Sequence, residues 1–342
     1  LKGHARIPDS AHIYERKIYM RQIKVAVVQA GSVPYDPERS VDKACGLLSE
    51  AAATGAKLAV FPEGFISTYP KGLGFGARFG MRFPEGRDEF KCYWNSSIDV
   101  PGPETDRLCK AARDTNMFLV IGSIERDAGT LYCTALFFSP EGKLLGKHRK
   151  LMPTAMERLT WGFGDGSTLP VFDTPIGKMG SVICWENYMP MMRMAMYSKG
   201  IQLYCAVTAD DRETWIPTMR HIAYEGRCFV LSSCQYIKRS DFPEDYQPIH
   251  GNDPDTVLIR GGSCIVSPFG EILAGPVYEE ECILTAEIDL DDITRGKYDM
   301  DVVGHYARPD IFRLYVNETP MPAVVRSSSK IDDPFNKNSR KV

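Results

Sequence analysis

Short, largely apolar runs recur along the chain, and several are followed by a segment of helical spacing. The first, IKVAVVQA at 23–30, has no polar face to offer water, so it reads as a strand covered on both sides. In the segment after it, DPERSVDKACGLLSEAAATG, Val41, Ala44, Leu47, Leu48 and Ala51 share one helical face and Gly55 supplies a stop. KLAVFPEG (57–64) is a second strand, ended by Pro62; GPETDRLCKAARDTN (102–116) is a helix and MFLVIGSIER (117–126) a strand. TLYCTALFFSPEGKLLGKHRK reads as a hairpin turning at Pro140, Glu141 and Gly142. The pattern then repeats: GKMGSVICWEN is a strand, PMMRMAMYSKG a short helix, IQLYCAVTAD a strand, RETWIPTMRHIAYEGR a helix and CFVLSSCQYIKR a strand. GGSCIVSPFGEILAG and CILTAEIDL add two more strand candidates. Such alternation points to an α/β fold with helices on the outer faces of one or two sheets.

Two segments break the pattern and read as loops: YPKGLGFGARFGMRFPEGRDEF (69–90), rich in Gly and Arg, and SDFPEDYQPIHGNDPDT (240–256), rich in Pro and Asp. Loops of this length are usually functional or interface-forming. The polar tail RSSSKIDDPFNKNSRKV reads as flexible. No break in composition demands a second domain. The expected organisation is an N-terminal extension (1–22), one domain (23–312) and a C-terminal tail (313–342), flexible or interface-forming.

Charge and cysteine usage narrow the function classes. With 41 basic and 44 acidic residues the net charge is −3, too weak a field to favour nucleic acid or an anionic membrane as partner. No apolar run approaches the ~18 residues of a membrane helix. The polar start LKGHARIPDSAHIYERKIYM has no apolar core like that of a secretion signal. The ten cysteines include no Cys-x-x-Cys and several lie inside apolar runs, so they read as reduced thiols of a cytoplasmic protein. The six histidines form no zinc-binding pattern, and no metal site is expected.

Three polar residues stand where an apolar run meets a loop: Glu63 after LAVFP, Lys150 closing LLGKHRK, and Cys184 closing MGSVI. In α/β folds the carboxyl ends of strands are where ligands bind. A free thiol has a pKa of about 8.5, so a carboxylate such as Glu63 is the natural acceptor of its proton as attack begins. Attack on a carbon–nitrogen multiple bond pushes charge onto nitrogen or oxygen. The Lys150 ammonium and the Trp185 N–H are the candidate stabilisers, donors typically worth ~3–4 kcal/mol. Read singly, each residue also has a plain alternative. Cys184 serves as a small buried hydrophobe, Glu63 as a turn cap or arginine partner, Lys150 as part of a solvated basic turn, and Trp185 as packing.

Taken together, VFPEGF around Glu63, KHRKLMPT around Lys150 and GSVICWEN around Cys184 resemble, in order, the three signatures of the nitrilase superfamily of carbon–nitrogen hydrolases. The resemblance spans 23–312 and implies that this segment is a carbon–nitrogen hydrolase domain. RLTWGFGDGST, TADDRETW (208–215) and DVVGHYARPDIF (301–312) look like the true nitrilase branch, especially plant-type and related microbial forms. Tyr188 departs from the plant pattern, which carries a basic residue there, and puts substrate preference in doubt.

The resemblance implies an α-β-β-α sandwich of two mixed sheets with helices outside. It implies Glu63 as general base, Lys150 as electrostatic and proton-handling group and Cys184 as nucleophile. Glu157, in KLMPTAMERLTWGFGDGS, matches a second glutamate that orients the lysine, its plain alternative being a surface acid paired with Arg158. Tyr69, Trp161 and Trp185 are the substrate-pocket candidates. The implied reaction converts an organic nitrile to a carboxylic acid and ammonia without a cofactor, in a homodimer or larger spiral homo-oligomer. Amidase and cyanide or cyanoalanine hydratase use the same three residues and stay open, as does a non-catalytic scaffold on the same fold.

Overall fold

A computed structural model describes residues 21–324 of the chain. Most of the N-terminal extension (1–22) and the polar tail read as flexible lie outside the described residues.

The first half of the domain builds one sheet. In chain order it runs β1 (Gln22–Gln29), α1 (Pro37–Ala53), β2 (Leu58–Val60), a small hairpin of β3 (Ala77–Arg78) and β4 (Met81–Arg82), α2 (Pro84–Asn95), α3 (Pro103–Thr115), β5 (Phe118–Asp127), β6 (Thr130–Ser139) and β7 (Lys143–Arg149). The second half builds another: β8 (Phe172–Thr174), β9 (Gly177–Ile183), α4 (Pro190–Ser198), β10 (Leu203–Thr208), α5 (Trp215–Gly226), β11 (Phe229–Cys234), β12 (Tyr236–Lys238), β13 (Val257–Val266), β14 (Ile272–Tyr278), β15 (Cys282–Asp289) and α6 (Asp291–Asp299). The sheets are mixed. The first has the order β15-β1-β2-β5-β6-β7, and the second β12-β13-β11-β10-β9-β8 with β14 on β13. The last strand therefore returns to the first sheet, pairing antiparallel with β1 along its length (Gln22↔Asp289 to Gln29↔Cys282) and tying the two halves into one body.

Strand alternation sorts the core into three layers. Val25 and Val27 of β1, Val120 of β5 and Phe137 of β6 face Met179, Leu203, Cys205 and Leu231 of the other sheet. On the outer side of the first sheet, Ala26, Val28 and Leu119 pack on Val41, Ala44 and Leu48 of α1 and on Leu108 and Ala112 of α3. On the outer side of the second, Tyr204, Ala206 and Val230 pack on Met192 and Met196 of α4 and on Met219 and Ile222 of α5. This is the α-β-β-α sandwich the motifs imply.

The segment 69–90 departs from a plain loop. It folds into the small hairpin and the first turns of α2, which Pro84 opens at a position where its missing N–H is harmless. Only Gly86 and Tyr93 of α2 are buried, too thin a stripe for periodicity to register. The polar helix α6, with Ile293 and Gly296 alone buried, escapes for the same reason. Of the tail, 313–324 follows the surface, where the Met321 N–H donates to Asp165 (2.8 Å).

Candidate active site

Glu63 stands three residues past β2, fully buried. The chain can turn there because Gly122 of β5 lies directly beneath. A Cβ on Gly122 would meet the Pro62 carbonyl at 2.3 Å and Glu63 Cα at 2.6 Å. Lys150 follows β7 and is equally buried, so the basic cluster it closes is no solvated turn. Its ammonium donates to Glu63 Oε1 and to Glu157 Oε2, each at 2.7 Å, and lies 5.4 Å from the centre of the Trp161 ring. Glu157 belongs to a 3-10 turn (Ala155–Leu159), where its Oε2 also accepts the Thr154 N–H at 2.6 Å. Its Oε1 accepts the Tyr69 hydroxyl at 2.7 Å. Arg158, its plain sequence partner, instead donates to the Pro153 carbonyl.

Cys184 lies at the end of β9 with φ +51°, a left-handed conformation that a non-glycine residue adopts only when its surroundings hold it there. Those surroundings are on either side. Glu186 accepts N–H groups from Ile183 (2.9 Å) and Leu151 (2.6 Å) and the His148 ring at 2.8 Å. Asn187 donates to the carbonyls of Val182 (3.2 Å) and Cys184 (2.8 Å). The buried Glu186 carboxylate thus joins the lysine loop to the cysteine turn.

Electrostatics link the three candidates. Burial pushes Glu63 above the usual carboxylate range, the Lys150 charge opposing and the Glu157 charge adding. Burial alone would lower Lys150, but Glu63, Cys184 and Glu157 outweigh it and hold the ammonium charged well above its ordinary pKa. Burial, then the Glu63 charge, pushes the Cys184 thiol up, with Lys150 opposing. The resting sulfur is therefore a thiol, and its proton needs an acceptor at the moment of attack.

A cavity of about 310 Å³ opens beside this cluster, between the 69–75 and 154–161 segments. Tyr69, Phe75, Glu157 and Trp161 line it, with the Tyr69 and Trp161 rings edge to face at 5.8 Å. Trp185 lies elsewhere. The residue is 41% exposed, and its indole donates to Asp210 (2.9 Å) and carries the Arg212 guanidinium on its face (4.6 Å). Sequence reasoning missed the Cys133 thiol, which donates to Glu63 Oε1 (3.4 Å), and the Ala209 N–H, which donates to Glu63 Oε2 (3.0 Å). It also missed Gln235, whose amide holds the Glu63 carbonyl at 2.8 Å.

Residues 24–298 match the family model described as carbon–nitrogen hydrolase. The chain belongs to this family. Among carbon–nitrogen hydrolases it is 61% identical to an aliphatic nitrilase of Sinorhizobium fredii, over 90% of this chain and 99% of that one. It is 53% identical to nitrilase 1 of Arabidopsis thaliana, over 92% and 93%. It is 52% identical to a bifunctional nitrilase/nitrile hydratase of Lupinus angustifolius, over 91% of each. Among solved structures, Nit3 of Saccharomyces cerevisiae, a member of branch 10 of the nitrilase superfamily, superposes with a TM-score of 0.65 at 25% identity, covering 84% of this chain and 97% of that one. The NitFhit protein of C. elegans shares the fold (TM-score 0.70, 21% identity, covering 90% and 70%). Among the described residues no helix is long and apolar enough to cross a membrane.

Proposed function

We propose that this carbon–nitrogen hydrolase is a nitrilase, converting an organic nitrile R–C≡N to R–COOH and ammonia through covalent intermediates on Cys184. The carrying observation is the buried Lys150 ammonium bridging Glu63 and Glu157 beside a thiol kept neutral, in a chain closely similar to proteins named nitrilases.

Glu63 takes the thiol proton as sulfur bonds to the nitrile carbon, and the nitrogen gains a proton from the Glu63–Lys150 pair, giving a thioimidate. Water then adds to its carbon, giving up a proton to Glu63. Glu63 returns that proton to the nitrogen, the hydroxyl proton follows as the C=O bond forms, and ammonia leaves with a thioester remaining. A second water releases the acid and restores the thiol. Lys150 stabilises charge on the nitrogen, Glu157 keeps the ammonium oriented, and Tyr69 and Trp161 shape the space for R. Trp185 contributes its backbone N–H, while its indole, held by Asp210, lies away from the cavity. Covalent catalysis divides one hard hydrolysis into easier steps with the chain's own groups.

The test is ammonia release from matched nitrile and amide pairs by wild type and Cys184→Ala. Nitrile turnover that disappears in the variant is expected; wild-type turnover in Cys184→Ala would overturn the assignment. A preference for the amide would favour the amidase reading. Some release of amide from nitrile is a second reading, favoured by the similarity to the bifunctional lupin protein.

Exposed apolar side chains support a homo-oligomer, among them Met191 on α4, Tyr224 on α5, Tyr298 on α6 and Tyr315 beyond it. Light scattering that gave a monomer would contradict it. All ten cysteines are free thiols, which fits the cytoplasm.

A further inference from the structure

Cys133 plays no part in the chemistry above, yet it touches both members of the base–cation pair. It lies on β6 opposite the end of β7. Its carbonyl accepts the Lys150 N–H at 2.8 Å, and its thiol donates to Glu63 Oε1 at 3.4 Å. The residue is 1% exposed, between the two sheets, so no water competes for either bond.

The two oxygens of Glu63 are consequently unequal. Oε1 accepts from Lys150 Nζ and from the Cys133 thiol, while among the described residues Oε2 accepts a single donor, the Ala209 N–H. A carboxylate oxygen has two lone pairs in its plane. Those of Oε1 are both engaged, and one on Oε2 is free. We propose that Cys133 is a positioning residue of the acid–base machinery: its thiol ties up Oε1, so that Oε2 is the oxygen that receives the Cys184 proton. The inference rests on the nitrilase reading for the roles of Glu63 and Cys184.

A consequence with a definite sign follows. Glu63 acts as a base only when ionised, and a donor to its carboxylate favours the ionised form. The charged and titratable groups around it are Lys150 after β7, Glu157 on the 3-10 turn, Cys133 on β6, Cys184 after β9 and Tyr69 on its own loop. Removing the Cys133 donor leaves the others in place and raises the pH at which Glu63 ionises. A thiol is a weak donor, so the acid limb of the pH profile moves up by about 0.5–1 pH unit.

The experiment measures the acid limb twice in Cys133→Ala, Cys133→Ser and a control, Cys205→Ala. Cys205 is a buried cysteine of the same layer with no bond to Glu63. One readout is kcat/KM for a nitrile. The other is alkylation of Cys184 by iodoacetamide, followed by peptide mass, which reports loss of the same thiol proton with no nitrile present. Expected is an upward shift in Cys133→Ala, with kcat reduced more than KM is changed, recovery toward wild type in Cys133→Ser, and no shift in Cys205→Ala. An unshifted limb in Cys133→Ala, or an equal shift in Cys205→Ala, overturns the proposal. A protein that hydrolyses no nitrile yet shows the alkylation shift would defeat the nitrilase reading and leave the Cys133–Glu63 bond standing.

Discussion

Replacing one hydrogen at Gly122 by a methyl group is expected to damage the site while leaving most of the fold intact. The added Cβ would lie 2.3 Å from the Pro62 carbonyl oxygen, 2.6 Å from Glu63 Cα and 2.7 Å from the Gly64 nitrogen. All three are backbone atoms, so no side chain can swing away. Ordinary contact begins near 3.4 Å, and residues 62–64 must therefore retreat by about 1 Å. That retreat stretches the 2.7 Å bond to Lys150 and the 3.0 Å bond from Ala209. A 1 Å misplacement of a catalytic group lowers the rate on the order of 100-fold. Overpacking of this kind also removes about 1–3 kcal/mol of stability. The assay is kcat/KM for a nitrile beside a thermal melt. Gly46→Ala serves as control, since a Cβ there meets nothing within 4 Å and Ala favours the helix of α1. Wild-type kcat/KM and Tm in Gly122→Ala would refute the claim that this glycine sets the height of the Glu63 turn.

Further outcomes concern the buried charges. Lys150→Met leaves Glu63 and Glu157 facing each other without a cation and should lower stability by about 3–5 kcal/mol near neutral pH. Denaturant unfolding should show the loss shrinking as pH falls, because protonating a carboxylate relieves it. Glu186→Gln should abolish the pH dependence contributed by the His148–Glu186 pair. In the wild type, burial opposes the His148 charge but Glu186 outweighs it and raises the pKa above 6.5, so that stability is full below 6.5 and is lost as pH rises through the raised value. Glu186 is held below 4.5 by His148 and two N–H groups against the effect of burial, and its share is lost as pH falls through that lowered value. Thermal melts across this window should be flatter in the variant; an unchanged profile would contradict the pairing.

The strands were legible because burial on both faces leaves an apolar centre such as 25–28 of β1 (VAVV), and two-sided burial is rare outside a layered sheet. Glu63, Lys150 and Cys184 stood out because each places a polar atom where such a run ends. Tyr69 and Glu157 follow them closely in the chain, and the structure joins the two by a hydrogen bond. Cys133 carried no signal. It alternates inward with Ala135 and Phe137 like any core residue, and only its distant neighbour Glu63 distinguishes it. His148 and Glu186 come from separate motifs, and nothing local says that they pair. The direction of the Trp185 indole was equally hidden, since Asp210 and Arg212 that hold it come from the loop after β10. What sequence conceals here is contact between remote segments that use ordinary residue types.

Mass spectrometry of the enzyme mixed with a slowly turned-over nitrile and quenched in acid tests the central assignment most directly. An adduct of the mass of the bound acyl or imidoyl group, mapped to the peptide containing Cys184 and absent from Cys184→Ala, is the predicted result. Rapid hydrolysis with an unmodified Cys184, or an adduct on a different cysteine, would contradict it.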